Sequence, residues 1–170
     1  MERLVTTTYL EMTDRGEFRP KRAAAKPFLL SRATSTSPES NRSLYEAVGA
    51  AWHWHERLVW DEERWRSYLD RPCLETWIAT VLDAPAGYFE LEADEVGNVQ
   101  IVYFGLLPEF IGKGLGGELL TAAIERAWQM GAKRVWVHTC DLDHPHALAN
   151  YRARGFREYR VEQKTESLPE

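Results

Sequence analysis

Apolar positions along the chain recur with two periods, and the breaks between them predict the elements. Arg3 to Met12 and Phe28 to Thr34 read as strands, joined by a loop, Thr13 to Pro27, that holds two prolines and five Lys/Arg. Ser37-Pro38-Glu39 combines a cap, a first-turn proline and an acid facing the helix dipole, so a helix starts there and runs to about Ala51. A shorter helix follows from about Asp61 to Leu69, ending before Arg71-Pro72. Leu74 to Leu82 alternates, Asp83 to Gly87 reads as a turn, Tyr88 to Leu91 as a strand and Asp94 to Asn98 as another turn, which together predict an antiparallel meander. Val99 to Leu107 is a longer strand, with Val99, Ile101 and Tyr103 expected on one face. Beyond it Leu115, Leu119, Ala123 and Ala127 recur at i+4 beside Leu120, Ile124 and Trp128, an amphipathic helix that Gly131 ends. Arg134 to Thr139 is a strand, Ala147 to Arg154 a helix closed by Gly155, and Phe156 to Val161 a last strand. The order predicts an α+β domain built on a mixed, mostly antiparallel sheet flanked by helices.

The 170 residues carry a formal charge of −5, a size suited to a single core that buries roughly two thirds of the unfolded surface. No apolar run approaches the roughly 20 residues of a membrane span, and a pI near 5.6 argues against a general nucleic-acid binder. Cys73 and Cys140 form no disulfide framework or cysteine zinc site, and Met1 to Leu10 has no secretory apolar segment, so a reducing cytoplasm is expected. The basic cluster Arg19, Lys21, Arg22 and Lys26 reads as a solvated face. Trp52, Trp54, Trp60 and Trp65 crowd one stretch, read either as core or oligomer packing or as the wall of a substrate pocket.

Chemistry concentrates at Gly112-Lys113-Gly114-Leu115-Gly116-Gly117, which opens a helix just after a strand. Free first-turn amides and the positive helix end together suit an anion, most often phosphate. A P-loop is excluded, because Lys113 is followed by Gly114. A dinucleotide fingerprint is literally matched by Gly112, Gly114 and Gly117, with Asp141 after the next strand, but Pro108 to Ile111 separates the first glycine from its strand.

The run from Leu106 to Gly117 resembles the acetyl-CoA signature of the GNAT (Gcn5-related) N-acetyltransferases, and Ala147 to Phe156 is similar to the family's A-x-x-x-Y-x-x-x-G-F ending. The resemblance covers about Phe28 to Glu162 and divides the chain into an N-terminal strand and basic loop (1–27), a GNAT-like domain (28–163) and a tail (164–170). It implies that the strands Val99 to Leu107 and Arg134 to Thr139 splay apart, with acetyl-CoA between them. Leu106 and Leu107 would then pair with the pantetheine arm and supply an N–H to the thioester carbonyl, while Gly112, Lys113, Gly114, Leu115, Gly116 and Gly117 hold the diphosphate. Two positions depart from the pattern: Ile111 stands where Gln or Arg is usual, and His144 where many members carry an Asn on the pantetheine arm.

The implied activity is direct transfer of acetyl to a primary amine of a small molecule or peptide; the alternative is a non-catalytic acyl-CoA-binding or regulatory module. Tyr151 matches the family's acid for the departing thiolate. Glu90, deeper in its apolar strand than Glu92, is the expected base, with His138 a second candidate. Asp141, Asp143, His144 and His146 are read as a loop entering a helix, with Asp143 as its cap, and no metal is expected. Dimerisation is common in similar proteins, and the resemblance implies a homodimer as the partner state.

Overall fold

The computed structural model describes residues 1–23, 25, 27–33 and 37–169; Lys26 and Thr34, named above, lie outside them. In chain order the strands are β1 (Glu2–Met12), β2 (Leu29–Arg32), β3 (Leu74–Val81), β4 (Ala84–Ala93), β5 (Asn98–Leu106), β6 (Arg134–Cys140) and β7 (Arg157–Ser167). The helices are α1 (Pro38–Gly49), α2 (Glu62–Leu69), α3 (Leu115–Gln129) and α4 (Ala147–Ala153). The caps follow the sequence chemistry: Ser37 accepts from the amide of Ser40 and Asp61 from that of Arg64, and Gly131, at φ 86°, follows the last turn of α3.

One sheet of order β2-β3-β4-β5-β6-β1-β7 carries all seven strands. Every pairing is antiparallel except β5 with β6. Those two run parallel and pair only at Asn98–Arg134, Val99–Val135 and Gln100–Trp136, then part, so the expected splay is present. The first strand does not stand beside the second: it lies between β6 and β7 and pairs with both. Because β7 is templated along this partner, it extends to Ser167, past the Val161 limit expected and into the segment read as a tail.

α3 covers one face of the sheet. Leu119, Leu120, Ala123, Ile124 and Ala127 are fully buried there with Leu10, Met12, Phe89, Leu91, Val135 and Val137, each large side chain contributing about 1.5–3 kcal/mol by leaving water. On the opposite face Leu44, Val48 and Tyr45 of α1, with Trp65 and Leu69 of α2, pack on Tyr88, Leu74 and Tyr103. Tyr103 therefore does not share a face with Val99 and Ile101. A bulge between β4 and β5 pairs Glu90 with Tyr103 but Leu91 with Ile101, and the extra residue, Val102, inverts the alternation. The Asp83–Gly87 turn is also corrected. The hairpin turns at Leu82 and Asp83, both left-handed at φ 49° and 66°, while Pro85 lies inside β4 where the register with Thr80 shifts.

Candidate active site

A cavity of about 780 Å³ opens where β5 and β6 diverge. Its floor is the glycine loop. Gly112 and Gly114 hold φ of 81° and 78°, and Gly114 caps α3 with no side chain bonded to the first-turn amides, which leaves those donors to face outward. Gly112, Gly116 and Gly117 line the cavity, and Leu115 does not, its side chain being buried. Lys113 is exposed, its ammonium 5.5 Å from the Phe110 ring. The Leu107 amide donates to Ala86 O at 2.8 Å, so it is already spent on β4 and does not face a ligand. By the alternation of antiparallel ladders the main-chain groups of Leu106, its neighbour, turn towards the gap. Residues that spread a diphosphate over free amides and offer an unpaired strand edge to an amide-bearing arm suit coenzyme A.

The opposite wall comes from α4 and the turn before it. Tyr151 is buried and lines the cavity, its ring packed between Phe104 and Phe156 at centroid distances of 6.3 and 5.9 Å. Burial, with a smaller push from Asp143, raises its pKa well above the ordinary phenol value, so the hydroxyl keeps its proton. Asn150, which the motif reading passed over, donates to Gly116 O at 3.2 Å and ties α4 to the glycine loop. His144 lies in the wall 5.0 Å from Trp52, and its Nδ1 accepts from the His146 amide at 3.0 Å, which leaves the ring proton on Nε2. Burial and the neighbouring His146 hold its pKa below the usual histidine value. Asp143 does not cap α4; it accepts from Thr139 Oγ1 at 2.5 Å and from the Cys140 amide at 3.0 Å, closing the end of β6. Asp141 likewise accepts from the Thr6 amide of β1 at 3.2 Å.

Glu90 is fully buried, as its apolar strand implied, but it is salt-bridged rather than a free base. Its two oxygens each accept from an Arg57 guanidinium nitrogen at 2.8 Å, and Tyr68 donates to one of them at 2.8 Å. Arg57 lies within 6.0 Å of five aromatic rings, those of Tyr45, Trp60, Trp65, Tyr68 and Tyr103. Burial alone would lower the Arg57 pKa, but Glu90 more than offsets it and the net shift is upward. This pair anchors the segment between α1 and α2, from which Trp52 to Arg57 and Trp60 line the cavity. The tryptophan cluster thus divides, Trp65 going to the core and the other three to the wall. Glu92 is paired with Arg71 at 2.5 Å. All five histidines of the chain line this one cavity. His138 stands on β6 facing it, solvent-exposed and 5.5 Å from the Tyr9 ring, with its pKa lowered by partial desolvation and partly restored by Asp143 and Glu56. Among the described residues no group of His, Cys, Asp or Glu has the arrangement of a metal site, and no helix is long and apolar enough to cross a membrane.

Residues 39–156 match the model of the acetyltransferase (GNAT) family, a span that holds the glycine loop, the splayed strands and Tyr151. The chain belongs to that family. Among curated proteins it resembles a mycothiol acetyltransferase of Corynebacterium efficiens, 31% identical over 137 residues. That alignment covers 75% of this chain but only 44% of the relative's length. Among solved structures, the fold is shared with an aminoglycoside acetyltransferase from an uncultured soil metagenomic sample, in complex with trehalose (TM-score 0.63, 16% identity, 75% of this chain and 87% of that one). It is shared also with a Bacillus subtilis acetyltransferase in complex with CoA (TM-score 0.59, 23% identity, 76% of each chain). Within this GNAT chain β1, β2 and β7 fall outside the matched span, yet β1 and β7 supply Thr7, Tyr9 and Glu162 to the cavity.

Proposed function

We propose that the chain is an N-acetyltransferase that uses acetyl-CoA to acetylate a primary amine by direct transfer. The observation that carries this reading is that the free amides of the glycine loop and the protonated phenol of Tyr151 face one cavity at the parting of β5 and β6. When bound, acetyl-CoA supplies the acetyl group as an activated thioester. The amides from Gly112 to Gly117 would hold its diphosphate, and Leu106 and His144 would bond the arm.

His138 would take the proton from the acceptor amine. Its lowered pKa keeps the ring neutral near pH 7, the state that accepts a proton. Tyr151 holds its proton for the departing sulfur. Cys140, a thiol in the same wall, is pushed up to about 11 by burial and by Asp143, and desolvation here would raise a departing thiolate in the same direction. A phenol of raised pKa is therefore opposed to a thiolate raised by the same desolvation. Glu90 acts through Arg57 as the anchor of the acceptor-side wall.

An amine that reaches the thioester passes Trp52, Trp54 and Glu56, so a cationic or aromatic small molecule, or a peptide N-terminus, fits the wall. The aminoglycoside acetyltransferase with the same fold supports that class of acceptor. The unpaired thiols of Cys73 and Cys140 suit a reducing cytoplasm. Thiol release from acetyl-CoA in the presence of polyamines, aminoglycosides, amino acids and peptides tests the proposal: at least one amine should be turned over, and Tyr151→Phe should slow it. Tight acetyl-CoA binding with no thiol release for any amine would leave only a binding module.

A further inference from the structure

At the diphosphate cradle Ile111 is apolar, and the exposed ammonium of Lys113 lies 5.5 Å from the Phe110 ring. Two phosphate charges held by main-chain amides alone would be weakly neutralised. The fold brings a cation from outside the loop. The side chain of Lys21 crosses Gly117, its Cδ 2.7 Å from where a Cβ would stand, and its Nζ donates to Gly114 O at 3.0 Å. An ammonium has three donors, and one is spent.

The arm that carries this lysine is tied down on both sides. The Arg19 amide donates to Arg154 O at 2.9 Å, the Lys21 amide to Thr121 Oγ1 at 2.9 Å, and Arg22 pairs with Glu125. A second cation converges on the same point, since Arg154 Nη1 lies 3.2 Å from the Cβ position of Gly117. Its Nη1 and Nε are buried with no hydrogen-bond partner among the described residues. The basic stretch read from sequence as a solvated face is in part a lining of the loop, and only glycine at 117 leaves room for it.

We infer that Lys21 binds the diphosphate of coenzyme A, supplying from the N-terminal arm the positive charge that the loop lacks at Ile111. The inference rests on the cofactor reading above. It assigns a role to a residue outside the span that matches the family, 39–156. Nζ keeps two donors beyond its bond to Gly114 O, at the residue that caps α3, which sets the ammonium beside the N-terminal turn whose amides are unspent.

Calorimetric titration of CoA and of 3′-dephospho-CoA, which keeps the diphosphate and lacks the 3′-phosphate, tests it in the wild type, Lys21→Met and Lys21→Arg. Lys21→Met should weaken both ligands by the same factor, about tenfold at low salt, and Lys21→Arg should stay within about threefold of the wild type. At 0.5 M salt the Lys21→Met deficit should shrink towards unity, because exposed charge pairs are screened there. Unchanged affinity in Lys21→Met overturns the inference, and so does a loss that persists undiminished at high salt, the mark of a structural role. A loss for CoA with none for dephospho-CoA assigns Lys21 to the 3′-phosphate and overturns it as well. Failure of the wild type to bind either ligand is a different result, which removes the cofactor reading itself.

Discussion

If Glu90 is an anchor, its removal must be felt first in stability and in the acceptor wall. The perturbation is Glu90→Gln, set beside the cycle of Glu90→Met, Arg57→Met and the double variant Arg57→Met/Glu90→Met. Glu90 is fully buried and Arg57 nearly so, and two guanidinium–carboxylate bonds of 2.8 Å join them. Breaking such a pair from one side strands the other charge and costs about 3–5 kcal/mol. For a domain of this size that is about 6–20 °C in Tm, at about 2–4 °C per kcal/mol. Removing both charges in favour of apolar groups should recover most of the loss, since a buried pair and a well-packed hydrophobic replacement are of similar stability. A double-mutant cycle by urea unfolding should therefore show a coupling above about 2 kcal/mol. Kinetically, the single variants should raise the acceptor KM through a loosened Trp52 to Trp60 wall and leave acetyl-CoA binding intact, because the glycine loop lies on another side of the cavity. The reasoning is refuted if Glu90→Gln melts within 2 °C of the wild type while kcat falls a hundredfold or more, which is the behaviour of a catalytic base.

Tyr151→Phe should lower kcat by about 10²–10⁴-fold with acetyl-CoA affinity unchanged, the size usual for loss of a general acid, checked by steady-state kinetics with calorimetry. The rate should fall as pH drops through the pKa of His138, which lies below the ordinary 6.5, because the protonated ring can no longer accept a proton; His138→Asn should lose that acid limb in a pH–rate profile. Gly114→Ala places a side chain at φ 78°, costing about 1–2 kcal/mol of strain, and should weaken acetyl-CoA more than it lowers Tm. Asn150→Ala frees Gly116 O from its 3.2 Å bond and should raise the acetyl-CoA KM several-fold with little change in kcat.

What the sequence disclosed was local. Caps, helix stripes and the glycine run are set by residues within a few positions of one another, so α1 to α3 and the loop at 112–117 could be read directly. Strand partners are not local. That β1 lies between β6 and β7 depends on backbone pairing between residues some 150 positions apart, which no periodicity records. The bulge at Val102 is similarly silent, and one inserted residue sent Tyr103 to the Arg57 side. Pro85 and Gly87 signalled a turn that the chain had already made at Leu82 and Asp83. At the site, Tyr151 and the glycines were legible because their motifs are short. Arg57 and Lys21 were not, because each meets its partners only through the tertiary fold: Arg57 reaches Glu90 across 33 positions, and Lys21 reaches Gly114 across 93. A charge in an exposed-looking segment gave no sign of either.

The central claim is that the cavity at the parting of β5 and β6 is where acetyl-CoA binds. Amide hydrogen exchange with and without acetyl-CoA, followed by mass spectrometry, tests it most directly. Protection should appear in peptides covering Tyr103 to Leu107, Gly112 to Glu118 and Ala147 to Tyr151, and be absent from β2 and the β3–β4 hairpin. Binding without protection at Gly112 to Glu118, or with protection confined to elements away from the cavity, would contradict the account.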